Sequence, residues 1–209
     1  LLLLLVVSSG SVALGLAYVS QEREKIEELI VLDTQERDYK RTLAVDYGGA
    51  AYDAFRAAWN APSDLAFAAI GQRDLNPTMM RVRALALEGQ IYETDSINPE
   101  LALAGRFDFA FVSAYLLPLI IIFAFYDLFA SERESGRLNL LSVSAQNTRS
   151  LWVPRILFRV LGIALAGLVP LWLGMLSERT ALGSAIGVSL AVLLQILFWT
   201  VLVLLIASR

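Results

Sequence analysis

The chain has 209 residues, of which 57% are hydrophobic and only 18% are charged, so it is more apolar than a typical soluble domain. This composition excludes an intrinsically disordered chain and argues against a purely soluble globule. Cysteine and histidine are both absent, which excludes disulfide scaffolds, thiolate or imidazole metal sites and His-dependent nucleophiles, and a net charge of −3 provides no basic field for nucleic acid.

Four apolar stretches reach or approach the roughly 20 residues that a helix needs to cross a bilayer. They predict transmembrane helices, because hydrocarbon cannot satisfy free backbone groups. We therefore predict an all-α polytopic membrane protein with at least four transmembrane helices and a mainly helical extracytoplasmic insert. The predicted spans cover residues 1–19, 108–130, 156–176 and 181–208.

The first stretch lacks both an initiator Met and a basic flank. A signal peptide has a charged n-region and a cleavage site with small residues, so we interpret residues 1–19 as a transmembrane helix without its cytoplasmic start. A cleaved signal peptide is the alternative. Because Arg209 closes the last apolar stretch abruptly, we expect a fragment that lacks both termini.

Basic residues in short loops set the predicted orientation. Residues 131–155 carry four arginines, whereas the turn between the last two spans carries only Arg179. Placing the Arg-rich loop in the cytoplasm puts residues 20–107 outside the membrane. The arginines of this loop are Arg133, Arg137, Arg149 and Arg155.

The insert, residues 20–107, holds most of the charge, since 26 of the 37 charged residues lie between Glu22 and Asp108. Residues 21–43 predict a helix that continues the first span, because no Gly or Pro separates the two. The side chains of Tyr52, Phe55 and Trp59, at spacing i, i+3 and i+7, predict a short amphipathic helix. Its aromatic face is interpreted as core, with a ligand-binding surface as the alternative.

Residues 78–94 are ambiguous. Alternation around Val82 is compatible with a strand, but Leu, Ala and Glu favour a helix, which we prefer. Further along the insert, Asn98-Pro99 is typical of a helix start. Arg106 and Asp108 stand where charges would mark the membrane interface.

A charged loop, residues 131–155, follows the second span at once. Ser131-Glu132-Arg133-Glu134 has the form of a capping box, and Gly136 can turn the chain. These residues predict a small helical elbow on the cytoplasmic side. From physical chemistry alone, the elbow either docks to a partner or is an interfacial helix that stabilises the bend.

The run from Glu132 to Leu138, followed by Leu140-Leu141-Ser142 and Arg149, resembles the E-x-E-x-G-(T/R)-L…LL…R pattern of type-2 ATP-binding-cassette permeases. The insert that ends in Asn98-Pro99 and Gly105-Arg106-Phe107-Asp108 resembles one subfamily, a domain family of unknown function with a long extracytoplasmic loop between its first two helices. Such permeases have six membrane helices, so the resemblance implies that a further pair follows Arg209.

The resemblance implies the membrane-spanning permease subunit of an ATP-driven exporter in the bacterial cytoplasmic (inner) membrane. A second permease subunit, identical or different, would face it, and separate cytoplasmic ATPase subunits would bind below. In that family the elbow enters a groove of the ATPase. The coupling residues carried over onto this chain are Glu132, Arg133, Glu134, Gly136, Arg137 and Leu138.

The chain's own residues support a separate ATPase. Its only lysines are Lys25 and Lys40, and neither follows a Gly, so the sequence contains no phosphate-binding G-x-x-x-x-G-K-(S/T) loop. We therefore expect no cofactor in this chain, with ATP and Mg²⁺ on the partner, and we do not expect an enzyme.

Two polar residues within the apolar spans are candidate sites, Asp127 and Gln195. Asp127 lies near a helix end, where capping, snorkelling or pairing with a loop Arg is preferred over a channel or proton-relay role. Gln195 is predicted to hydrogen-bond across a helix interface rather than to contact substrate. Pro118 and Pro170 predict helix kinks.

Small residues four positions apart predict close helix packing at Gly162 with Ala166 and at Gly183 with Gly187. Two further interpretations of the function of the whole chain are possible. A mechanotransmission-type permease would have only four helices, although about 85 residues is a small outer domain for that class. A membrane sensor would hold a ligand in the insert, although this chain turns at Gly136 and re-enters the membrane.

Overall fold

The computed structural model describes residues 1–43, 45–53, 55–71, 79–83, 106–126, 128 and 148–207. Two compact units make up the chain, one formed by Leu1–Ala13 with Phe107–Arg209 and the other by Leu14–Arg106. The described residues are mainly helical and include three helices long and apolar enough to cross a membrane, so the protein is a multi-pass membrane protein. These spans are Leu2–Leu43, Trp152–Ser177 and Leu182–Ala207.

Helix α1 runs without interruption over Leu2–Leu43, a length of 42 residues. The prediction that the first span continues into the charged stretch is therefore confirmed. Hydroxyls in its apolar part bond within the helix, as Ser8 Oγ donates to the Leu4 carbonyl at 2.7 Å. In its polar part, Lys40 Nζ lies 3.1 Å from Glu36 Oε1 as the i,i+4 spacing predicts.

The insert contains a sheet that the sequence did not predict. After helix α2, Tyr47–Asp53, strand β1 covers Phe55–Trp59 and pairs antiparallel with strand β2, Met79–Arg83. The helix predicted through Tyr52, Phe55 and Trp59 is wrong, because only Tyr52 lies in a helix. Trp59 is 47% exposed, so it is not a core residue either.

The helix preferred for residues 78–94 is also wrong over Met79–Arg83, where the strand that the alternation around Val82 allowed is present. Backbone pairing with β1 outweighs the weak local helix propensity, since strand formation depends on the partner more than on intrinsic preference. The remaining residues of that prediction lie outside the described residues, as does Asn98-Pro99.

A buried carboxylate joins α1 to the sheet. Asp33 is 7% exposed, and its Oδ1 accepts a hydrogen bond of 3.1 Å from the backbone N–H of Ala57 in β1. Its Oδ2 lies 4.0 Å from Arg37 Nη1, one turn further along α1. The contact satisfies a backbone donor that an edge strand would otherwise leave unpaired.

We predict that Asp33→Ala opens this contact, because the Ala57 N–H and the Arg37 guanidinium both lose a partner. The expected loss of stability is about 1–3 kcal/mol. Hydrogen exchange at the Ala57 amide, measured on the whole protein in micelles, should accelerate markedly. Asp33→Asn keeps an acceptor and should have a much smaller effect; equal protection in both variants and the wild type would contradict the assignment.

The second apolar stretch forms a helix in three parts, which are α3, Phe109–Phe111, a π-helical segment, Val112–Leu116, and α4, Leu117–Phe125. Asp108 caps its start, as its Oδ1 accepts from the Phe111 N–H at 2.8 Å. The described part is shorter than the other three spans. Of the predicted continuation to residue 130, Leu128 is helical and the other residues beyond Tyr126 lie outside the described residues.

Helix α5 covers Thr148–Ser177 and helix α6 covers Leu182–Ala207. Because α5 starts eight residues before the predicted boundary at residue 156, Pro154 lies inside the helix rather than in its first turn. Helix α6 ends within one residue of its prediction. Buried residues recur along one face of α6 at spacings of three and four, as expected of a helix that packs on its neighbours. They are Ala185, Ser189, Val192, Ile196, Thr200 and Val203.

A Schellman turn connects α5 to α6. Arg179 adopts a left-handed conformation with φ of 54°, and its N–H donates to the Leu176 carbonyl at 3.3 Å. The next residue, Thr180, donates to the Met175 carbonyl at 3.0 Å. These two bonds satisfy carbonyls that the end of α5 leaves free, and they hold the connection to a few residues.

The two predicted small-residue pairs differ in their surroundings. A Cβ added at Gly162 would lie 2.9 Å from the Leu1 side chain, so this glycine is at a close contact. At Gly183 and Gly187, no described atom lies within 4 Å of an added Cβ. Among the described residues, only the first pair is therefore at a helix contact.

Candidate functional site

The predicted coupling residues all lie outside the described residues, and so does Asp127. The coupling set is Glu132, Arg133, Glu134, Gly136, Arg137 and Leu138. Their proposed role therefore stays a prediction from the sequence. Gln195 is the predicted site residue that the structure describes.

Gln195 lies in α6 and forms two hydrogen bonds to Ser113 of the π-helical segment. Its Nε2 donates to the Ser113 backbone carbonyl at 2.7 Å, and its Oε1 accepts from Ser113 Oγ at 2.8 Å. The orientation of the amide follows from the chemistry, because a backbone carbonyl can only accept. Gln195 thus bonds across a helix interface, in the manner that the sequence predicts.

The π-helical segment explains why Ser113 needs this partner. The Leu117 N–H bonds to the Val112 carbonyl, five residues earlier rather than four. In the same i→i+5 pattern, the donor for the Ser113 carbonyl would be residue 118, which is proline and has no N–H. The Gln195 amide therefore supplies the donor that Pro118 lacks.

This contact has an energetic consequence in a bilayer. Ser113 is buried, and an unpaired carbonyl in hydrocarbon has no water to bond to. Side-chain hydrogen bonds between membrane helices contribute about 0.6–2 kcal/mol. We call Ser113, Pro118 and Gln195 the polar clasp, since they join the second apolar stretch to α6.

A second polar contact joins α5 to α4. Arg159 Nη1 donates to the backbone carbonyl of Ala124, and its guanidinium carbon lies 6.0 Å from the centre of the Phe125 ring. Ala124 is in the last turn of α4, where free carbonyls and the helix dipole favour a cation. The guanidinium is therefore stabilised by a helix end and an aromatic face, as an arginine within an apolar span requires.

An apolar groove of about 350 Å³ lies between α4 and α6, toward their C-terminal ends. Among the described residues, its lining holds no carboxylate, amide or cationic group. The lining residues are Ile122, Tyr126, Trp199, Leu202, Val203, Ile206 and Ala207.

Sequence reasoning missed Ser113 and the π-helical segment. The available signal was a serine five residues before a proline in an otherwise apolar stretch. That pattern indicates a carbonyl without a donor only once the helix is known to widen there. Sequence reasoning also did not predict that Arg159 would contact α4.

Comparison with known proteins leaves the family open. No protein-family model matches the chain, and neither a curated protein nor a solved structure matches it.

Proposed function

We propose that the chain is the membrane-spanning permease subunit of an ATP-driven exporter of the type-2 ATP-binding-cassette class. The observation that carries the proposal is the charged run from Glu132 to Leu138, placed directly after an apolar stretch and rich in the residue types of an ATPase-docking elbow. The four apolar stretches and the lack of a phosphate-binding loop in the sequence agree with a permease whose ATPase is another chain.

The proposed mechanism follows from the separation of the permease and the ATPase into different chains. ATP and Mg²⁺ bind the partner ATPase, and its closure pushes on the elbow. Two permease subunits then alternate the exposure of the cavity between them. In this scheme, the polar clasp and the Arg159 contact keep the helices together while they move, because each joins two helices through polar groups that hydrocarbon cannot replace.

We predict that Gly136→Pro and Glu134→Lys reduce recovery of the partner ATP-binding-cassette ATPase by at least about tenfold, equivalent to about 1.4 kcal/mol of binding free energy. Proline restricts the turn at Gly136, and Lys reverses a charge at the docking surface. The measurement is affinity co-purification from membranes, with membrane insertion of each variant checked separately.

Glu27→Lys is the matched control, because it makes the same charge reversal at an exposed site in α1. It should recover as much ATPase as the wild type. Undiminished recovery by both elbow variants would remove the elbow from the mechanism. Failure of the wild type to recover any ATPase would remove the transporter proposal itself.

A membrane sensor is the second candidate function. The observation that favours it is the uninterrupted α1, in which one helix contains both an apolar span and the start of the insert. A sensor would retain its signalling partner without an ATPase, so the same co-purification distinguishes the two functions.

A further inference from the structure

A short apolar loop of the insert packs on α1. Within the run Leu65–Ile70, Phe67 is fully buried, and three of its neighbours are also buried. The backbone of the loop approaches α1 so closely that a Cβ added at Gly15 would lie 2.0 Å from the Phe67 carbonyl oxygen. Only a glycine at position 15 permits this contact.

The contact lies within the apolar part of α1. No charged residue precedes Glu22, so Gly15 is inside the stretch that crosses the membrane. At a rise of about 1.5 Å per residue, Gly15 is about 10 Å below Glu22 along the helix axis. The Phe67 backbone is held at the same level as Gly15.

Three residues mark the membrane surface just above this level. The Tyr18 hydroxyl donates to Glu22 Oε1 at 3.2 Å, and the Arg106 guanidinium carbon lies 4.4 Å from the centre of the Tyr18 ring. A tyrosine with a carboxylate at its hydroxyl and a guanidinium over its ring is typical of the headgroup region. Gly15 is three residues, or about 4.5 Å, closer to the membrane centre than Tyr18.

The loop is suited to that depth. Two successive turns pair part of its backbone internally, since Ala66 N–H donates to the Ser63 carbonyl and Ala68 N–H donates to the Leu65 carbonyl, both at 3.0 Å. Leu65–Ile70 contains no polar side chain, and the exposed Asp64 precedes it. Internal hydrogen bonding and an apolar surface are what entry into the acyl-chain boundary requires.

We propose that Leu65–Ile70 is a membrane-interface contact that seats the insert among the phospholipids of the leaflet at the Val19 end of α1. The exposed Ala69 side chain then faces lipid. This inference requires α1 to span the membrane, but it is independent of the proposed transport function. An aqueous loop and a loop covered by a second copy of the chain are the competing arrangements.

Because the chain has no cysteine, single-cysteine variants allow the test directly. Ala69→Cys is labelled with an environment-sensitive fluorophore in proteoliposomes of phosphatidylcholine that include a lipid with a nitroxide near the top of its acyl chain. Iodide serves as the aqueous quencher. Arg41→Cys, 70% exposed on the polar part of α1, is the water reference, and Leu190→Cys, 55% exposed on α6, is the lipid reference.

The expected result is a nitroxide-to-iodide quenching ratio at Ala69 several-fold above that at Arg41 and close to that at Leu190. A ratio equal to that at Arg41 would place the loop in water and overturn the proposal. Shielding from both quenchers would mean that protein covers Ala69 and would overturn it equally. Leu65→Cys provides a second site in the same loop, so a local disturbance by one label cannot decide the outcome.

Discussion

Gly15→Ala should destabilise the unit that contains Leu14–Arg106, although alanine is the better helix former by up to about 1 kcal/mol. The new Cβ would lie 2.0 Å from the Phe67 carbonyl oxygen and 2.8 Å from its carbonyl carbon. These are backbone atoms, so no rotamer change relieves the overlap. We expect a net loss of about 1–3 kcal/mol, as for other overpacked contacts, because the loop must move away.

Hydrogen exchange at the amides of Ala66 and Ala68 is the measurement for Gly15→Ala, since both N–H groups bond within the displaced loop. Their protection should fall in the variant. Gly10→Ala is the control, because it lies on the same helix with no described atom within 4 Å of the added Cβ. That variant should be neutral or slightly more stable. Identical protection in the two variants would show that the loop does not pack at Gly15.

Gln195→Leu should have the second large effect. It removes both hydrogen bonds of the polar clasp and leaves the Ser113 carbonyl without a donor in an apolar environment. The expected loss of stability is about 1–3 kcal/mol, which includes the cost of the orphaned carbonyl. Thermal unfolding of the purified protein in micelles should show a lowered midpoint.

Pro118→Ala tests the origin of that loss. An alanine restores a backbone N–H at the position that the i→i+5 pattern assigns to the Ser113 carbonyl. In the Gln195→Leu background, Pro118→Ala should therefore recover part of the lost stability, with a coupling of about 0.5–2 kcal/mol between the two sites. Simple additivity of the two substitutions would mean that Pro118 does not create the need for Gln195.

The sequence predicted the helices better than the insert. A charge-free stretch of the right length is a local property, so α1 and α6 could be read directly from hydropathy. Strand β1 depends on β2, whose residues lie 20 to 28 positions further along the chain than their partners in β1, and local spacing cannot reveal that partner. The spacing of Phe55 and Trp59 matches one face of a helix, but backbone pairing with β2 makes this segment a strand.

The same distinction applies to the candidate site. Gln195 was recognisable because an amide in an apolar helix needs a partner. Ser113 was not, since it lies 82 residues away in the chain and its carbonyl lacks a donor only where the helix widens. The elbow from Glu132 to Leu138 rests on its motif alone, and its part in ATPase docking stays a prediction.

The π-helical segment Val112–Leu116 also sets the rotational phase of the helix that contains it. A π-helical turn holds one residue more than an α-helical turn, and an α-helix rotates about 100° per residue. The residues before the segment therefore point about 100° away from the direction that a continuous α-helix of the same sequence would give them. Asp108 and Phe109 are both buried, and they face their present direction only because of this rotation. A one-residue deletion that returned Val112–Leu116 to regular α-helix would keep the two residues where they are, whereas a substitution that straightened the segment at unchanged length would rotate them by roughly a quarter turn.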